Sequence, residues 1–79
     1  MQLDAKALEL ARPILKYFNA MCRYEGFAVL PCIEAHSKRS LARYTGYIAA
    51  EIRHFKNTPQ KSVLEGLLKI ATEYCDSPE

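Results

Sequence analysis

The chain has 79 residues, 49% of them apolar and 25% charged, which is the composition of one globular domain and excludes a disordered segment. Its longest apolar stretch, Phe27–Ile33, is too short for a membrane span or a signal-peptide core, so a soluble, cytoplasmic protein with no membrane partner is expected. Net charge is only +2, yet residues 36–61 hold Lys38, Arg39, Arg43, Arg53, Lys56 and Lys61 against Glu51 alone, and this concentration points to an anionic partner.

In chain order, the apolar positions Ala7, Leu10, Ala11, Ile14, Leu15, Phe18, Met21 and Cys22 recur at steps of three and four and predict a helix over 1–25. Asp4 is placed to cap its start and Gly26 to end it in a left-handed conformation. Pro13 removes one backbone bond and crowds the preceding turn, so a kink is expected near Ala11–Arg12, with two shorter helices as the alternative. A short helix is expected over 27–36, with Phe27, Leu30, Ile33 and Ala35 facing the core and Pro31 in its first turn. A buried strand also fits that run length, but no second strand is available to pair with it.

Ser37 reads as a cap for Lys38-Arg-Ser-Leu-Ala-Arg-Tyr44, after which Thr45-Gly46 interrupts and Tyr47 to Phe55 resumes helical spacing. Asn57-Thr58-Pro59 is a breaker. Ser62 and Glu65 match a capping box, and Leu64, Leu67, Leu68, Ala71, Tyr74 and Cys75 predict a final helix over 62–75. The expected fold is therefore all-α, a compact single-domain bundle of four to five helices.

Within 37–57 the spacing suits a helix-turn-helix. Ala42 is small enough to let a second helix cross closely, Gly46 tolerates a positive φ in the turn, and Ile52 and Phe55 are anchors that pack back. At these residues the chain resembles the lambda-repressor/Cro-like (Xre-type) helix-turn-helix family. The likeness covers residues 37–75: Ser37 to Gly46, Tyr47 to Asn57, the turn at Thr58-Pro59, and the Leu-rich Val63 to Ala71.

The resemblance implies a small DNA-binding transcriptional regulator that grips double-stranded DNA as a homodimer. It implies that Ser37, Lys38 and Arg39 open a positioning helix and hold a phosphate. Ala49, Ala50, Arg53 and His54 would face the major groove, where Arg53 suits a guanine and the alanines suit a thymine methyl. Lys56, Asn57 and Lys61 would touch the backbone. Arg43 fits a DNA contact or a solvated charge equally well, and Tyr44 and Tyr47 fit partial burial.

Another class of function uses the same charge. A cytosolic helical interaction module or inhibitor could dock an acidic protein partner on the basic face, helped by the apolar Phe27–Ile33 segment. An enzyme is not expected, because nucleophile-elbow, phosphate-loop and zinc-protease patterns are all missing from the sequence. Cys32 and His36, four apart, could share a helix face as a thiol–imidazole pair, but a chance neighbour explains them as well. The three cysteines, Cys22, Cys32 and Cys75, form no CxxC and pair with no histidine at zinc spacing, so reduced thiols and neither metal nor cofactor are expected.

Overall fold

A computed structural model of the protein describes residues 4–33 and 35–78. Among the described residues the architecture is all-α, with three helices, α1 (Ala5–Glu25), α2 (Lys38–Glu51) and α3 (Pro59–Asp76), and a 3-10 turn (Ile52–His54) after α2. Three helices stand among the described residues where four to five are expected. No described helix is long and apolar enough to cross a membrane.

α1 begins where Asp4 accepts from the Ala7 amide at 3.1 Å and ends at Gly26, whose φ of 79° needs a residue without a Cβ. Gly26 and Phe27 amides then donate to the carbonyls of Arg23 and Cys22, which closes the last turn. The helix runs through Pro13 as one element. One buried stripe, from Ala7 through Ile14 to Cys22, lies on both sides of the proline, and its packing outweighs the single lost backbone bond.

The tie at one end of the molecule fixes the direction of all three helices. The Asp4 amide donates to the His36 carbonyl at 3.0 Å, and the Tyr74 hydroxyl donates to both Asp4 carboxylate oxygens at 2.9 and 2.8 Å. Lys38 donates to the Ser77 carbonyl at 2.8 Å and lies over the Tyr74 ring. The start of α1, the start of α2 and the end of α3 therefore meet. At the other end Phe55, just past α2, stacks with Phe18 of α1. α1 and α2 consequently run in the same sense, and α3 runs back against both.

Parallel neighbours explain why the described residues of 27–36 form no helix, which corrects that expectation. The connection must return along α2, a length of about 21 Å, whereas a ten-residue helix covers only about 15 Å. The described part of this segment (Glu34 lies outside it) has no helical structure. Asn19, buried on α1, holds it midway: its amide nitrogen donates to the Leu30 carbonyl at 2.8 Å and its oxygen accepts from the Leu30 amide at 2.9 Å. From there Ile33 and Ala35 are buried in the core, Leu30 is partly buried, and Phe27 stays half exposed.

The expected turn at Thr45-Gly46 is also absent. α2 continues through it, and Gly46 is exposed with a negative φ. Leu41, Thr45, Ile48 and Ile52 are buried at steps of three and four, so one stripe crosses the glycine unbroken. Thr45 satisfies its hydroxyl within the helix by donating to the Ala42 carbonyl at 2.9 Å. Ala42 is exposed and supports no crossing helix. The likeness to the repressor-type motif in 37–57 does not extend to its defining turn.

α3 starts earlier than expected. Thr58, extended before Pro59, accepts from the Lys61 amide, and proline takes the first helical position, where its missing N–H costs nothing. Ser62 then lies inside the helix and forms no capping box with Glu65. The core is built from the inner stripes of all three helices, with Ile14, Leu41, Ile48 and Leu64 fully buried.

Candidate nucleic-acid interface

The outward face of α2 is basic and low in relief. Arg39, Arg43 and, in the following 3-10 turn, Arg53 are exposed, and between them lie exposed Ala42, Gly46, Ala49 and Ala50. Tyr47 and His54 form one edge of this face and are exposed as well. The acidic residue of this stretch, Glu51, is half-buried and turned toward a groove on the α1 side. The face exists because the buried stripe occupies the opposite side of the same helix, so the helical period places every arginine outward.

The ten residues expected to touch DNA divide into two groups. Arg39, Ala49, Ala50, Arg53, His54 and Lys56 are exposed. Arg53 leans back, with its Nε 3.5 Å from the Ala50 carbonyl, and its guanidinium remains at the surface. The other four carry structural duties. Ser37 caps α2: its hydroxyl accepts from the Ser40 amide, and the Ser40 hydroxyl accepts from the Ser37 amide. The free amides expected to hold a phosphate at that helix start are thereby partly satisfied.

Lys38 is committed to Ser77 and Tyr74. Lys61 is only 9% exposed, and its Nζ donates to the Phe55 carbonyl at 2.9 Å and to Asn57 Oδ1 at 3.2 Å. It therefore closes the loop between the 3-10 turn and α3 instead of reaching a backbone phosphate, and Asn57 is its partner in that closure. Arg43, for which a contact and a solvated charge were equally good readings, stands at the centre of the exposed face.

Beside this face is a groove of about 310 Å³, lined by Phe18, Cys22, Phe27, Ala28, Tyr47, Glu51, His54 and Phe55. Its floor is a stack of three rings. Phe18 and Phe55 lie 5.9 Å apart at 25°, and Phe55 and Phe27 lie 5.2 Å apart at 41°. The stack leads outward from core to surface, since Phe18 and Phe55 are buried while Phe27 is 47% exposed and Tyr47 is 49% exposed. A second cleft, of about 320 Å³, lies between the end of α1 and the start of α3 and includes Tyr24 and Lys56.

The three cysteines lie in different surroundings, Cys22 buried, Cys75 partly buried and Cys32 exposed. Cys32 and His36 share no helix face, because neither lies in a helix. Burial pushes the Cys22 thiol up, with the Glu51 carboxylate adding to the effect, and burial likewise pushes up Cys75, so both stay protonated at neutral pH. Among the described residues no group of three or more His, Cys, Asp or Glu side chains could hold a metal ion. No protein-family model matches the chain, and no curated protein or solved structure is significantly similar to it.

Proposed function

We propose that the protein is a small nucleic-acid-binding regulator that docks on a phosphate backbone through the outward face of α2. One observation carries the reading: Arg39, Arg43 and Arg53 stand exposed on a face that has small residues between them and no acidic side chain. Arginine presents a planar fork that matches phosphate oxygens, and it stays charged at any physiological pH. Ala42, Gly46, Ala49 and Ala50 keep the helix surface low, so a phosphate chain can approach close enough for several forks to engage at once.

The small residues between the arginines contribute nothing to base-edge readout. Small apolar side chains supply no hydrogen-bonding groups, so affinity comes from the backbone and from released counterions. Binding to duplex DNA should therefore weaken steeply with salt. Each of the substitutions Arg39→Gln, Arg43→Gln and Arg53→Gln should weaken binding to all sequences alike and flatten the salt slope by about 0.9. Lys61→Met should leave that slope unchanged. A mobility-shift titration over a salt series reads all of these, and salt-insensitive binding, or no binding to either duplex or single-stranded DNA, would overturn the proposal.

A helical adaptor that docks an acidic protein would use the same arginines, and the exposed Tyr24, Phe27, Val29 and Tyr47 favour it as a second reading. Pull-down with and without nuclease separates the two, because a protein partner survives digestion.

A further inference from the structure

We propose that the α2 surface takes an unpaired strand in preference to a duplex, with one base stacked on Phe27 in the groove beside Tyr47 and His54. The inference rests on the nucleic-acid reading above and assigns the groove a task within it. Arg43, Tyr47, Ala50 and His54 follow one another along a single line of the surface, at steps of three and four, so the basic face and the groove mouth are continuous.

Three features fit an unpaired base. The Phe18–Phe55–Phe27 stack supplies a ring platform anchored in the core, and its outermost member exposes nearly half its surface. A platform held this way loses little freedom when a base is added to it. The groove, at about 310 Å³, is at the small end of the roughly 300–1,000 Å³ range of ligand pockets and suits one planar ring system.

Glu51 decides which part of a nucleotide enters. Its carboxylate on the groove wall repels a phosphate and accepts from the N–H groups of a base edge, whereas the arginines outside hold phosphate. A duplex keeps its bases stacked inside and cannot use the platform. An unpaired strand can use both the platform and the arginines, as sequence-tolerant single-strand binders do.

The test compares a short fluorescently labelled single strand of mixed sequence with the duplex it forms with its complement. Both are titrated with the full chain, by anisotropy, over one salt series. The single strand is expected to bind more tightly at every salt concentration. Phe27→Leu keeps an apolar contact with Phe55 but removes the ring face. It should weaken single-strand binding about 5- to 150-fold and leave duplex binding unchanged. Tyr47→Ala, on an exposed residue, should act in the same direction, and Phe27→Tyr should restore the preference. Tyr24→Ala, outside the groove, should change neither titration.

Equal or tighter duplex binding that still depends on Arg43 would overturn this inference and leave the nucleic-acid reading standing. Preference for the single strand that survives Phe27→Leu would remove the base from the groove, and with it the inference. Failure to bind either form would overturn both.

Discussion

Lys61 shows how a charge can be misread from sequence. It belongs to the basic third of the chain, and counting places it with the backbone-contacting lysines, yet its ammonium faces inward onto Phe55 and Asn57. Replacing it with methionine keeps the aliphatic stem and leaves the Phe55 carbonyl without its donor. The expected cost is about 1–3 kcal/mol, read as a lower urea midpoint. Asn19 is a second residue of this kind. Its signal was present in the sequence, because Leu15, Asn19 and Cys22 share one helical line and a polar group on an apolar line needs a partner. What it would bond was not legible, since Leu30 reaches it only through the tertiary path of the connection.

At the level of elements, α2 is where local signals and packing disagree. Thr45-Gly46 has the chemistry of an interruption, and a turn there would require a positive φ. The helix instead crosses it because the buried line of Leu41, Thr45, Ile48 and Ile52 runs straight through. Thr45 is compatible with that line because its hydroxyl bonds within the helix and the residue is buried. Gly46→Ala distinguishes the two geometries. A Cβ at Gly46 meets nothing within 4 Å, so alanine should raise stability by about 0.5–1 kcal/mol through its better helix propensity. In a left-handed turn the same change would cost roughly 1–2 kcal/mol. Denaturant unfolding of the two proteins gives the sign directly.

The caps at Asp4, Ser37 and Gly26 were legible because each depends on a few neighbouring residues. The connection after Gly26 was not, because its shape follows from α1 and α2 lying parallel. The same limit applies to the candidate interface: the arginines of its outward face can be found by counting charges, but the groove beside them joins Phe27, Tyr47 and Phe55 from three separate segments.

Across the whole molecule, the end where α1 and α2 start and α3 finishes is held by polar contacts, and the opposite end by aromatic packing. The polar tie is pH-dependent. The Tyr74 hydroxyl, followed by the Ala7 amide, holds the Asp4 carboxyl below its ordinary value of 3.8. A carboxyl depressed in the folded state contributes stability above its unfolded pKa, about 3.9, and that contribution disappears as pH falls through the folded value. Tyr74→Phe keeps the ring under Lys38 and removes the hydroxyl. The variant should melt below the parent protein at neutral pH, and the gap should close as the pH is taken below 3.8. Thermal melts across that range check it, and a gap that stays constant in acid would place the stabilisation elsewhere.

The bonds from Tyr74 to Asp4 and from Lys38 to Ser77 bring the first and last described segments together, at the end of the bundle opposite the groove. A segment attached at Asp4 or at Pro78 starts from the side opposite the aromatic mouth. If the proposed single-strand binding holds, two copies linked in tandem could engage one flexible strand together. The second would then bind at the high effective concentration set by the linker, and the avidity gained would need no new contact.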